Sequence, residues 1–162
     1  MPAGLGVTMC ADLWSFALST YARPGVEAAC LRLQAQGADV CLLLCGVWLE
    51  QLGTAFEPER AQALQQLSRP WQTRVIEPLR HVRVQWRAMA QQDEQVAGLR
   101  VRVKALELEA EHQLLQRLEG LALTWPKGEE SQSQWLEGLA AEDAANLDHD
   151  ALQQLRVAAT GT

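Results

Sequence analysis

Apolar residues recur at intervals of three and four along most of the chain, the spacing that gives a helix one hydrophobic face. Asp12 is a suitable N-cap, and Trp14, Ala17, Leu18 and Tyr21 follow at i, i+3, i+4 and i+7. Pro24 suits the first turn of a second helix. There Val26, Ala29, Cys30 and Leu33 repeat the spacing, and Gly37 is placed to end it. Asp39 caps a third helix, VCLLLCGVWLEQL, closed by Gly53. This helix is apolar on nearly every side, which predicts burial among other helices. Its apolar run, Val40 to Leu49, is half of the about 20 residues that a membrane span needs, so it is read as a core helix with no membrane insertion. Glu57-Pro58 opens a fourth helix with Ala61, Leu64 and Leu67 facing inward.

The fifth segment is the most regular. Trp71, Val75, Leu79, Val82, Trp86 and Met89 follow at steps of 4, 4, 3, 4 and 3 and fill a sector of about 80° on the helical wheel. Pro78 sits inside this pattern, removes one backbone hydrogen bond, and predicts a kink or break that serves packing or shapes a pocket. The sixth segment, about 96–121, carries two apolar lines. Leu99, Val103, Leu106 and Ala110 form one, and Val101, Leu108 and Leu115 form another on the opposite side. Such a helix needs partners on two faces, within the bundle or in a second subunit.

Beyond Trp125-Pro126 the polar run KGEESQS interrupts the pattern, and two short helical stretches follow near 133–145 and 148–159. The organisation expected is therefore a loose leader over 1–10, a helical bundle over 11–123 and an acidic helical tail over 124–162 that docks weakly. Composition agrees with an all-α fold: 26 Leu, 24 Ala and 17 Gln stand against one Ile and 11 Val. The helix formers dominate and the strand formers are scarce, so the expectation is a compact bundle of about six helices. Trp14, Trp48, Trp71 and Trp86 are placed in its core.

The net charge of −6 conceals an uneven distribution. Residues 69–104 hold 8 basic and 3 acidic side chains, a net +5, whereas residues 105–162 hold 3 basic and 11 acidic, a net −8. General nucleic-acid binding is disfavoured by the overall sign. Cys10, Cys30, Cys41 and Cys45 follow no secretory signal pattern, and most lie in apolar helical patterns. Reduced thiols in a cytoplasmic protein are the expectation. Cys41 and Cys45, four apart, could share an ion with Cys30, His81 or His112. No C-x2-C or H-x3-H element supports that, so no metal and no cofactor are assigned.

The basic block offers the one lead to a site. Arg80, Arg83 and Arg87 fall about 180°, 120° and 160° from Trp71, beside the apolar stripe. On the sixth helix Arg100, Lys104, Glu107 and Glu111 share a face within about 60°. Arg100–Lys104 and Glu107–Glu111 are like-charged i,i+4 pairs, locally unfavourable, so partners across the helix interface are favoured. Two readings follow. One is an interhelical ion-pair seam or solvated face. The other is a polar pocket for an anionic ligand or partner, because the guanidinium fork matches carboxylate and phosphate. A pocket requires a concavity lined by Arg80, Arg100, Lys104 and Glu107 with charge left unpaired. No acid–base set, nucleophile elbow or phosphate loop accompanies these residues, so no catalytic residue is assigned.

Leu13-Trp14-x-Phe16, Tyr21-x-Arg23-Pro24-Gly25-Val26 and Cys30-Leu31-x-Leu33-Gln34 together resemble the opening of a family of small, uncharacterised proteobacterial proteins, a domain of unknown function. Asp39-Val40-x-Leu42-Leu43-Leu44, Trp48, Trp71, Pro78-Leu79-Arg80 and the run Leu99-Arg100 to Ala110-Glu111 continue the similarity over roughly 12–120. The resemblance implies a bacterial cytoplasmic helical protein and no known activity. Arg80, Arg100, Lys104, Glu107 and Glu111 fall inside its pattern, and Arg83 and Arg87 less clearly so. The function expected is that of a non-catalytic interaction or adaptor protein, with an unknown protein partner or self-association. The alternative is a binding protein or enzyme for an anionic small molecule, using the charged seam.

Overall fold

The computed structural model describes residues 12–128, 134–140 and 148–160, and all regular structure among them is helical. The elements are α1 (Leu13–Tyr21), α2 (Val26–Ala35), α3 (Val40–Leu52) and α4 (Pro58–Trp71), then a π turn (Gln72–Ile76). They continue with α5 (Glu77–Gln85), α6 (Arg87–Ala90), α7 (Glu94–Ala122), α8 (Trp135–Leu139) and α9 (His149–Thr160). The all-α bundle read from the sequence is the fold of the protein. The leader lies outside the described residues.

Local signals set the early boundaries. Asp12 accepts from the Ser15 N–H at 3.3 Å, and Asp39 from the Leu42 N–H at 3.0 Å. Gly53 closes α3 at φ 71°, where a side chain would be strained. As its uninterrupted apolar sequence implies, α3 is buried over residues 41–50 and forms the centre of the bundle. It is packed by α1, α2, α4, α7, α8 and α9.

α7, 29 residues long, spans about 44 Å. Its buried residues begin only at Glu107. The outer half of α7 packs against α5 and α6, which themselves contain no buried residue, so this pair forms an arm on the bundle. The two apolar lines expected along α7 are covered only toward its inner end, at Ala110 and Leu115, and are exposed further out at Leu99, Val101, Leu106 and Leu108. With Leu99 as origin, Arg100, Glu107, Glu111, Leu114 and Leu118 fall between about 60° and 120°, and the two lines flank them at about 0° and 200°. The inward face of α7 is thus the charged one.

The segment after Trp125 docks far more tightly than its acidic composition implies. Trp135, Leu136 and Leu155 have no exposed surface and join the same core as α3. Gly46 makes room for this contact, since a Cβ there would lie 2.7 Å from the Leu139 side chain. Residues 133 and 141–145 of the stretch predicted near 133–145 lie outside the described residues. Among the tryptophans, Trp48 is buried, and Trp14 and Trp71 pack partly buried on the core. Trp86, placed in the core from the sequence, is only partly buried and belongs to the arm. Trp135 takes that place instead, because its segment folds back onto α3.

Candidate functional site

The geometry of the charged site originates in the π turn. Pro78 cannot donate to the Arg74 carbonyl, and its ring crowds that group. The disruption expected at Pro78 takes the form of a wider turn just before it, in which Glu77 N–H donates to the Gln72 carbonyl. Backbone continuity from α4 to α5 is kept, with no break. Ile76 lies eight residues after Ser68, which on an unbroken helix would place the two about 80° apart. A π turn takes one more residue to close and rotates the following chain back by about 100°. Ile76 thus returns to the buried line of Leu64 and Ser68. Arg80 and Arg83, four and seven residues further on, join that line and face α7.

Both arginines converge on Glu107, whose side chain is almost fully buried. Arg80 Nε donates to Oε2 at 3.1 Å and Arg83 Nε to Oε1 at 2.5 Å, with a longer Arg83 contact at 3.4 Å. Arg100 Nε donates to the Arg83 carbonyl at 2.8 Å. Burial of Glu107 is tolerated because two guanidinium groups compensate its charge. The hydrogen bond that Arg83 donates to Glu107 holds the Arg83 pKa above its usual value. Lys104 and Arg87 are exposed and take no part in this seam. Four of the sequence-derived residues are therefore brought together here, with Glu111 beside them.

Glu111 accepts no hydrogen bond among the described residues, and its pKa is pushed up to about 7. Burial is the main cause, and the Glu107 and Asp39 carboxylates add to it, while Arg80 and Arg83 oppose. Tyr21 lies on another side of the same cluster, its phenol raised to about 12 by burial and by Glu27, Cys30 and Glu111. The native state holds the Glu111 proton more tightly than the unfolded chain. The stabilisation this gives is full below about pH 4.5 and is lost as pH rises through about 7. Glu111→Gln is therefore expected to match wild type near pH 4.5 and to be about 3 kcal/mol more stable at pH 8. Thermal melts at the two pH values check this, and an unchanged pH slope in the variant counts against it.

Asp39, Ser68 and Gln72 extend the polar cluster, and the sequence reading did not gather them. The Asp39 carboxylate accepts from Leu42 N–H, from the Ser68 hydroxyl and from Gln72 Nε2 at 2.8 Å. Its pKa is nonetheless raised, because desolvation outweighs those three bonds and the nearby Arg80 charge. Asp39 was legible as an N-cap, but Ser68 and Gln72, four residues apart on one helix face, reach it only through the packing of that helix against the start of α3. A cleft of about 420 Å³ opens beside this group, lined among others by Asp39, Gln72, Thr73, Glu77 and Arg80. Of the residues expected to line a pocket, Arg80 does so; Arg100, Lys104 and Glu107 do not line this cleft.

A second ion-pair cluster joins the two ends of the fold and left no sequence signal. Glu50, 2% exposed, accepts from Arg156 Nε at 2.9 Å and from its Nη2 at 2.8 Å. Arg156 also donates to Glu137 at 3.0 and 2.7 Å, and Leu136 N–H donates to Glu50 at 3.2 Å. Glu137 is held below the usual carboxylate range by the Arg156 hydrogen bonds, against a desolvation that acts the other way.

Cys30, Cys41 and Cys45 are free and buried, and burial raises all three thiol pKa values, to about 11 for Cys30. Protonated thiols in apolar surroundings are poor metal ligands. Among the described residues no cluster of three His, Cys, Asp or Glu side chains could hold an ion. No described helix is long and apolar enough to cross a membrane.

Neither a curated protein nor a solved structure matches the chain. A family model described as "Protein of unknown function (DUF2390)" matches residues 12–118. The matched region runs from the cap of α1 into α7 and contains Asp39, the π turn, Arg80, Arg83, Arg100, Glu107 and Glu111. Trp135 and Arg156 fall outside it. With about two thirds of its length matched, this chain belongs to the DUF2390 family of proteins of unknown function.

Proposed function

We propose that the protein is a non-catalytic interaction protein whose outer α7 strip, Val101–Lys104–Leu108, receives a partner helix with an apolar face bordered by carboxylates. The observation that carries this reading is a change of cover along one line of α7. Leu115 is 2% exposed, whereas Leu108 and Val101 on the same line are 52% and 68% exposed. α1 lies along the inner part of this side. Leu13 N–H donates to Glu119 at 3.3 Å, and Trp14 stacks on His112 at 4.1 Å. The helix ends at Tyr21, beside Glu111. The bare strip is thus continuous with an existing helix–helix interface, and a second helix seated there extends it. Lys104 lies between the two apolar residues, and Arg87 and Arg102 are exposed on the same arm, which favours carboxylates on the partner. Arg80 and Arg83 contribute less to such a surface, since Glu107 engages them both. The family resemblance read in the sequence supports a proteobacterial cytoplasmic setting, in which the buried thiols stay reduced.

The test is capture from the native cell with wild-type chain and with Leu108→Asp, followed by titration of a synthetic helix from the captured protein. The expected result is an acidic amphipathic helix that binds wild type and loses about tenfold or more in affinity to Leu108→Asp and to Lys104→Glu. Both substitutions are at exposed positions, so the melting temperature should not move. Binding indifferent to them, or no such partner, overturns the reading. A homodimer dissolved by Leu108→Asp, or binding to phosphatidylserine vesicles instead, also replaces it.

A further inference from the structure

The cleft at the π turn is separate from the arm surface and carries an inference of its own. We propose that it binds a small zwitterion with an aliphatic body, of the size of an amino acid or dipeptide. Its volume of about 420 Å³ lies within the range of small-molecule sites. Three helices bring opposite charges to its walls, Asp39 at the start of α3, Arg69 on α4, and Glu77 and Arg80 on α5, with the π turn supplying Gln72 and Thr73 between them. Leu42, Leu43 and Leu139 provide an apolar lining.

Arg80 is the anchor for an anionic end. Only its Nε is engaged, by Glu107 at 3.1 Å, and its two Nη groups make no hydrogen bond among the described residues. A guanidinium carries five N–H donors, so a forked pair is free for a carboxylate. Glu107 fixes the Nε end, so the fork is held in place before a ligand arrives. A cationic end has equally defined partners. Asp39 accepts three hydrogen bonds out of a capacity of about four, and the exposed Glu77 has no ion-pair partner among the described residues. An ammonium group satisfies both carboxylates while the carboxylate of the same molecule meets Arg80. A phosphate dianion placed on Arg80 meets the Asp39 and Glu77 carboxylates as like charges, and the other cation of the lining, Arg69, already has a partner. The π turn thus gives two outcomes from one inserted residue: it turns Arg80 toward Glu107 and sets the same side chain at the rim of the cleft.

Amide chemical shifts of the full chain, titrated with L-leucine, leucyl-leucine, isovalerate, isoamylamine and inorganic phosphate up to about 10 mM, test the proposal. Saturable shifts at Gln72, Thr73 and Leu139 are expected with leucine or leucyl-leucine. Isovalerate and isoamylamine, each carrying one charge, should bind about tenfold more weakly, and phosphate should not saturate. Arg80→Met should abolish the zwitterion response. Because Arg80 also holds Glu107, Thr73→Trp provides a second variant that blocks the cleft from an exposed position and leaves the ion-pair seam intact. Lack of saturation with both zwitterions overturns the proposal. So do equal affinities for the singly charged analogues, tighter phosphate binding, or a response unchanged in Thr73→Trp.

Discussion

Replacing Arg156 with methionine is expected to lower the unfolding free energy by about 3–5 kcal/mol at neutral pH. The size of the loss comes from Glu50 rather than from the arginine. Glu50 is buried in the centre of the fold and is held by two Arg156 bonds at 2.9 and 2.8 Å. With the guanidinium removed, a carboxylate remains in a site where only the Leu136 N–H still donates to it, at 3.2 Å. A buried charge so stranded takes up a proton instead of staying ionised. Protonation relieves that penalty, so the defect should be smaller at pH 5 than at pH 8. Glu50→Gln in the Arg156→Met background should recover a large part of the loss at pH 8, since no buried charge is left. Urea unfolding of the single and double variants at the two pH values measures this. A loss of equal size at both pH values refutes the assignment.

Trp135→Ala is expected to cost about 3–5 kcal/mol, the range for a large aromatic removed from a packed core. Trp135 has no exposed surface, meets Phe56 edge-on at 5.2 Å and stacks on Trp125 at 5.9 Å. Its Nε1 also donates to the Thr54 carbonyl at 2.8 Å, which ties α8 to the end of α3. Trp135→Phe separates the two contributions. It retains much of the packing and leaves the Thr54 carbonyl without that donor, a loss of about 1–3 kcal/mol. The order wild type, Phe, Ala in denaturant midpoint is the expected result, and an alanine variant as stable as the phenylalanine one contradicts it.

These two residues mark a boundary in what could be read beforehand. The starts of the helices up to α4 and the end of α3 were legible, because Asp12, Asp39, Pro58 and Gly53 act within a turn of their own position. The burial of α3 was legible because ten of its residues leave no polar side to expose. Trp135 and Arg156 were not, because their partners lie 81 and 106 residues away in sequence. An acidic, weakly amphipathic segment carries no local sign that one tryptophan and one arginine anchor it.

The charged seam shows the same division more finely. Its membership was legible in part, since Arg80, Arg83, Arg100, Glu107 and Glu111 were gathered from helical spacing together with Arg87 and Lys104, which stay outside it. Its orientation was not. The helical wheel assumes a constant turn per residue, and a single π turn before Pro78 breaks that assumption. The rotation brings the arginines inward, toward the side where Asp39, Ser68 and Gln72 meet. Along α7, the apolar lines flanking the charged face drew attention as interfaces, yet burial follows the line that points at neighbouring helices. That line carries charge because opposite charges wait across the interface.

The sequence by itself determined an all-α chain, the starts of its early helices, the end and the buried centre of α3, and the set of ionisable groups on α5 and α7. All of these rest on interactions within a few residues, or on a periodicity that one helix expresses alone. Only the tertiary structure decided which face of α7 is inward, that the segment after Trp125 belongs to the core, and that a polar cleft opens at the π turn. Each of those depends on chain segments far apart in sequence, and on a phase shift that one inserted residue imposes on everything after it.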